Sequence, residues 1–155
     1  MGVRGSNPRG TTKFWTIMTI KEIEREIVDE FAIFTDWMDK YEYIIELGKN
    51  VPVIEEKEKT EENLIKGCQS RVWLDCWEED GKLFFAADSD AIITKGIISL
   101  LIRVYNGQQP KDILSSDLSF IDAIGLQENL SPTRANGLVS MIKQIKMYAL
   151  AFENK

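Results

Sequence analysis

The segment VWLDCWEEDGKLFFAA, residues 72–87, decides the fold class. The runs from Val72 to Trp77 and from Leu83 to Ala87 are typical of β-strands. Between them, Glu79-Asp80-Gly81-Lys82 has the composition of a hairpin turn. The sequence therefore predicts one antiparallel β-hairpin.

Helical periodicity flanks this hairpin on both sides. Upstream, a capping-box spacing from Thr19 to Glu22 opens a first helix, and a second is predicted over Thr35–Leu47. Downstream, Asp88-Ser89-Asp90 is predicted to cap a helix, and Ser131-Pro132 to open the last one. Helices, one hairpin and more helices predict an α+β domain, a small antiparallel sheet covered by helices.

The 155 residues divide unevenly. Residues 1–17 contain no acidic residue, are rich in Gly, Thr and Arg, and show no helical or strand period. We expect a disordered leader, an upstream in-frame extension or a cloning remnant there, with a basic transit peptide as a weaker alternative. Residues 18–155 are expected to form a single domain.

Composition excludes several functional classes. The chain has no histidine, which removes Ser-His-Asp and Cys-His hydrolases and histidine-based zinc sites. Two cysteines are too few for a four-thiolate metal site and suit a reducing cytoplasm. A net charge of −6 argues against nucleic-acid binding, and no apolar run approaches membrane-spanning length.

Cys68 is the candidate nucleophile, in the run IKGCQSRVW at residues 65–73. Gly67 permits a left-handed turn before it, and Lys66 and Arg71 are expected to lower the thiol pKa. Two neighbours offer hydrogen-bond donors to a sulfur anion, Gln69 and Ser70. The alternative interpretation is a small, half-buried residue at the start of a strand.

Cys76 differs, because it shares a strand face with Val72 and Leu74. This position predicts a core cysteine. A redox pair between Cys68 and Cys76 is a minor alternative, since the spacing is not C-x-x-C.

Four ordered blocks resemble the SufE family of sulfur-acceptor proteins. They are YIIELG (43–48), GCQSRVW (67–73), DSDA with KG (88–91, 95–96) and LSPTR with GL (130–134, 137–138). One mild departure is Thr133, where the family often has serine. The resemblance implies a small α+β fold similar to the IscU scaffold, with the reactive cysteine on a loop beside the sheet.

The resemblance also implies a function. A PLP-dependent cysteine desulfurase of the SufS type would hand sulfur to Cys68 as a persulfide, for delivery to a SufB-containing scaffold complex. The chain would need no cofactor of its own, since PLP belongs to the partner, and would be a monomer or weak homodimer. We expect Cys68 on a mobile loop that tucks its sulfur against apolar neighbours when free. The alternatives are an iron–sulfur scaffold, or an interaction module that stimulates a partner without covalent transfer.

Three further positions carry two interpretations each. Asp90 could contact the partner or control the thiol loop, or it could be a helix N-cap. Arg134 could support the thiolate or pair with a carboxylate, or it could form an exposed ion pair. Trp73 could shield the thiol, but packing is favoured.

Overall fold

A computed structural model describes residues 18–155, so the predictions for residues 1–17 lie outside the described part of the chain. The described part contains two strands, β1 (Val72–Glu79) and β2 (Lys82–Ser89). Its α-helices, in chain order, are α1 (Ile20–Phe31), α2 (Trp37–Gly48), α3 (Ile92–Tyr105), α4 (Pro110–Ser115), α5 (Ser119–Ala123), α6 (Leu126–Asn129) and α7 (Pro132–Glu153). A 3-10 turn lies at Glu56–Glu58.

Strands β1 and β2 form the predicted antiparallel hairpin, and Cys76 faces Phe85 across it. The turn consists of Asp80 and Gly81, whose φ angles of 53° and 79° are both left-handed. Such a two-residue turn matches the twist of the flanking strands, so pairing continues to Glu79 opposite Lys82. Both strands are therefore longer than the sequence predicted.

The two faces of the hairpin are buried differently. One face packs into the main core beneath the helices through Val72, Leu74, Cys76, Leu83, Phe85 and Ala87. The other carries a smaller cluster of Ile54, Trp77, Phe84 and Ala86, against which Trp73 packs. Cys76 is 9% exposed, as expected of a core cysteine. The small antiparallel sheet covered by helices, and hence the α+β class, is confirmed.

Helices α2 and α3 cross at very close range. A Cβ atom added to Gly96 would collide with the backbone carbonyl of Ile44, and one added to Gly48 would meet the backbone of Gly96. Ile44 is fully buried. Glycine at the crossing lets the two helix backbones approach, which fixes α3 beneath the sheet.

The helix ends confirm some caps and correct others. Thr19 forms the predicted capping box with Glu22, and Ser131 caps α7 with Pro132 at its first position. The predicted cap at Asp88-Ser89-Asp90 is wrong. Strand β2 continues to Ser89, and α3 has Ala91 as its N-cap without a side-chain hydrogen bond.

Within residues 18–155, no helix combines the length and apolar character that crossing a membrane requires.

Candidate functional site

Cys68 lies on a tight loop that leads into β1, the thiol loop (residues 66–71). The loop closes at its base, where the Ile65 amide donates to the Val72 carbonyl at 2.8 Å. Gly67 has φ of +91°, the left-handed conformation expected for the turn. A Cβ there would collide with the Ser140 hydroxyl on α7, so Gly67 allows the loop to lie directly against that helix.

The thiol is half-buried against α7. Its Sγ atom donates to the Gly137 carbonyl at 3.7 Å, and a Cβ on Gly137 would lie 3.6 Å from the sulfur. Burial raises the pKa of the Cys68 thiol above its ordinary value, because it removes water that would solvate the anion. In this docked position the protonated thiol is the favoured form.

The expectation that Lys66 and Arg71 lower the pKa of Cys68 is therefore wrong. The Lys66 side chain is 78% exposed, and its ammonium lies 3.8 Å from the Glu61 carboxylate. Arg71 is also exposed. Water screens these cations, and the loss of solvation around the sulfur dominates.

A cavity of about 230 Å³ opens beside the thiol. It joins the loop to the first three turns of α7 and to one turn of α3. Its lining residues are Cys68, Gln69, Ser70, Thr94, Ile97, Ser131, Thr133, Arg134, Gly137 and Met141. The structure thus brings Gln69, Ser70 and Arg134 together with Cys68, while Gly67 and Arg71 shape the loop outside the lining.

Asp90 holds the end of the thiol loop. Its carboxylate accepts from the Arg71 amide at 3.0 Å, and its own amide donates to the Arg71 carbonyl at 3.2 Å. The interpretation of Asp90 as an N-cap is wrong, since α3 begins after Ala91. Asp90 instead ties the loop to the junction between β2 and α3.

Arg134 occupies the first turn of α7 and is exposed. No carboxylate of residues 18–155 lies within ion-pairing distance of its guanidinium, so the exposed ion pair is not found. Its amide donates to the Ser131 hydroxyl at 3.3 Å, which completes the cap of the helix. The side chain is free to meet an anion at the cavity.

Trp73 does not line the cavity. It packs on the opposite face of the hairpin, with the Lys59 ammonium 5.3 Å from its ring centre. The packing interpretation is the right one.

Sequence reasoning missed Thr94, Ile97 and Met141 in the cavity lining. One signal was present, because Arg134, Gly137 and Met141 are spaced i, i+3 and i+7 and so share a helix face. Thr94 carried no such signal, since its approach depends on where α3 crosses the domain.

The described residues contain no group of three or more His, Cys, Asp or Glu side chains that could hold a metal ion. Neither Cys68 nor Cys76 forms a disulfide, and of the two only Cys68 lines the cavity. The chemistry available at this site is that of a single thiol next to polar and cationic groups.

Comparison with known proteins yields one family. A sequence profile described as "SufE: Fe-S metabolism associated domain" matches residues 25–149. An uncharacterized SufE-like protein of Rhizobium meliloti is 43% identical over 129 residues, 80% of this chain and 92% of the relative. A SufE-like protein of Synechocystis is 38% identical, over 83% of this chain and 80% of the relative.

Two further comparisons differ in coverage. The chain is 37% identical to the chloroplastic/mitochondrial SufE-like protein 1 of Arabidopsis thaliana, over 84% of this chain but 36% of that protein. A solution structure of a hypothetical protein from Thermus thermophilus superposes with a TM-score of 0.72, over 86% of this chain and 97% of that chain. At 18% identity, this second likeness shows a shared fold.

Proposed function

Because this chain belongs to the SufE family, a family associated with iron–sulfur metabolism, we propose that it accepts sulfur on Cys68 from a cysteine desulfurase. The donor would be an enzyme of the SufS type, and PLP would be the cofactor of that enzyme. The acceptor of the next step would be a SufB-containing complex that assembles iron–sulfur clusters.

The observation that carries the proposal is the position of the thiol. Cys68 is half-buried on a loop, lines a cavity, and has no histidine or other base hydrogen-bonded to it among the described residues. Sulfur exchange requires a thiolate and access, but no proton shuttle. A single thiol in this setting is suited to carrying sulfur and unsuited to hydrolysis.

The transfer step is a thiol exchange. The Cys68 thiolate attacks the terminal sulfur of the enzyme's persulfide, and a new S–S bond forms. The old S–S bond breaks, its electron pair leaves with the enzyme's cysteine sulfur, and Cys68 becomes the persulfide. The reaction causes no net oxidation, and its rate follows the thiolate fraction of Cys68.

From the burial of the free thiol we infer that the loop lifts before Cys68 attacks the persulfide of a desulfurase. Docked on α7, Cys68 keeps its proton and its sulfur is partly shielded from water. Lifting the loop restores solvent and lowers the thiol pKa toward its ordinary value. A desulfurase that binds the lifted loop would thus activate the nucleophile by releasing it.

The decisive experiment compares the two cysteines. The protein is mixed with a SufS-type desulfurase and free cysteine, and mass spectrometry locates any added sulfur atom. We expect persulfide on Cys68 in the native chain, none in Cys68→Ser, and retention in Cys76→Ala. Stimulated sulfur release that survives Cys68→Ser would identify a non-covalent interaction module instead.

An iron–sulfur scaffold is the weaker alternative, since Cys68 is the single thiolate ligand that the described residues place at the cavity. Anaerobic reconstitution with iron and sulfide tests it, and cluster absorbance that persists after desalting would support the scaffold. The cytoplasmic location and the monomeric or weakly dimeric state stay predictions.

A further inference from the structure

The cavity beside Cys68 is larger than the storage of one sulfur atom requires. Its volume of about 230 Å³ exceeds the ~10–15 Å³ that holds one water molecule. It is smaller than the sites of about 300 Å³ and more that take drug-sized ligands. The space fits a molecule with a handful of heavy atoms.

Thr94 supplies a hydroxyl group that forms no hydrogen bond within the described residues. The residue is 6% exposed and lines the cavity. No residue within 18–155 forms a hydrogen bond to its hydroxyl. Among the described residues the fully enclosed side-chain oxygen without a hydrogen bond belongs to Glu24, so the Thr94 hydroxyl is open to the cavity and can bond to a molecule there.

The lining of the cavity also includes a cation, Arg134. Arg134 extends from the first turn of α7, a 22-residue helix whose amino-terminal end carries partial positive charge. No described carboxylate pairs with its guanidinium. Arginine binds planar carboxylates through two parallel hydrogen bonds, so Arg134 suits a ligand that bears a carboxylate.

We propose that the cavity binds a small thiol that bears a carboxylate, of the chemical class of free cysteine, and that the Cys68 persulfide passes its sulfur to that thiol. Arg134 holds the carboxylate and the Thr94 hydroxyl bonds to a polar group of the ligand. The inference rests on the proposed persulfide, and it adds a small-molecule acceptor to the protein acceptor.

The step balances without any added oxidant or reductant. The ligand's thiolate attacks the terminal sulfur of the Cys68 persulfide, and a new S–S bond forms on the ligand. The bond between the terminal sulfur and the Cys68 sulfur breaks, and the electron pair leaves with Cys68 as thiolate. The products are a small-molecule persulfide and the unloaded protein.

The test loads Cys68 with inorganic polysulfide, so that no desulfurase is needed. After desalting, the loss of persulfide is timed with 3-mercaptopropionate, which bears a carboxylate, and with 2-mercaptoethanol, which does not. Each thiol is compared on the native chain and on Arg134→Gln. Because each ratio uses one thiol on two proteins, the intrinsic reactivity of that thiol cancels.

We expect Arg134→Gln to slow transfer to 3-mercaptopropionate about fivefold, the scale of one partly exposed ion pair, and transfer to 2-mercaptoethanol less than about twofold. Thr94→Val should also slow the first reaction. Lys143→Gln, which removes an exposed cation farther along the same helix, should change neither. Equal slowing of both thiols by Arg134→Gln would overturn the proposal.

A binding measurement on the unloaded protein separates this proposal from the sulfur-carrier function. Titration with L-serine, the oxygen analogue of cysteine, should shift the amide NMR signals of Thr94 and Gly137, and Arg134→Gln should raise the serine concentration at half of the shift about fivefold. No shift at these residues would refute the cavity as a ligand site, even if a desulfurase loads Cys68. Serine binding without desulfurase transfer would instead refute the carrier function alone.

Discussion

Two glycines stand where another part of the chain comes too close for a side chain, and they differ in what they meet. Gly96, on α3, faces the backbone carbonyl of Ile44 on α2. Gly67, on the thiol loop, faces the hydroxyl of Ser140 on α7. A backbone carbonyl inside a helix cannot move aside, whereas a serine side chain can rotate and a loop can lift.

The first contact belongs to a rigid frame, the crossing of α2 and α3. The second belongs to the thiol loop, residues 66–71, which we propose to be the moving part. Gly96 is buried in the main core next to the fully buried Ile44, while Gly67 is exposed. The thiol loop is held by a few bonds at its base and at Asp90. Such a segment can open at a small fraction of the free energy of global unfolding. The proposed sulfur transfer would benefit from this arrangement, because the thiol would have to be shielded in transit and reachable by each partner.

The largest effect is expected from Gly96→Ala. The added methyl group forces α2 and α3 apart, which should lower the free energy of unfolding by about 3 kcal/mol or more. Urea unfolding followed by circular dichroism measures it. Gly137→Ala is the matched control, since its Cβ would meet the Cys68 sulfur at an ordinary 3.6 Å. A near-neutral Gly96→Ala would show that the crossing is not rigid.

Gly67→Ala should cost less stability and change reactivity more. Forcing alanine into the left-handed conformation costs about 1–2 kcal/mol, and the clash with Ser140 pushes the loop away from α7. We expect faster alkylation of Cys68 by iodoacetamide, with the unfolding midpoint lowered only moderately. Unchanged alkylation would mean that the loop does not lift at this contact.

The frame could be predicted from sequence better than the site. The hairpin, the α1 capping box and the Ser131-Pro132 start of α7 rest on local rules that hold wherever the segment lies. The direction of the pKa shift of Cys68 could not be predicted from its charged neighbours in sequence. It depends on burial of the thiol against Gly137, 69 residues away. Thr94 lines the cavity because of where α3 crosses the domain, and no local sequence pattern predicts that crossing.

Asp90 shows why a correct residue can receive the wrong role. In sequence it stands just before a helix, where aspartate usually caps. In the structure β2 runs on to Ser89, so the chain reaches Asp90 still extended and its carboxylate meets the Arg71 amide. Only the length of the strand decides between these two roles.

A third prediction follows from this tether. Asp90→Ala removes one exposed hydrogen bond, so it should cost about 0.5–1.5 kcal/mol of local stability. Amide exchange across residues 66–71 and alkylation of Cys68 should both become faster. Asp122→Ala, at another exposed aspartate, serves as control. If both variants leave the exchange of the loop unchanged, Asp90 does not hold it.

The smallest effect, and the sharpest test of the moving part, is the pH dependence of Cys68. Because burial raises the pKa of its thiol, alkylation of the native chain should reach half its maximal rate above the pH at which an exposed thiol does so. Mass-spectrometric alkylation rates, taken from neutral pH upward, measure this midpoint. In Gly67→Ala the midpoint should move down toward the ordinary value, because a lifted loop returns the thiol to water.

The raised pKa of the Cys68 thiol also affects stability. Above the ordinary thiol pKa the unfolded chain loses a proton that the folded chain retains, so the folded state loses stability as pH rises. Cys68→Ala should lack this loss. A native midpoint at or below that of an exposed thiol would mean that Lys66 and Arg71 outweigh burial, and that the thiol is reactive while docked.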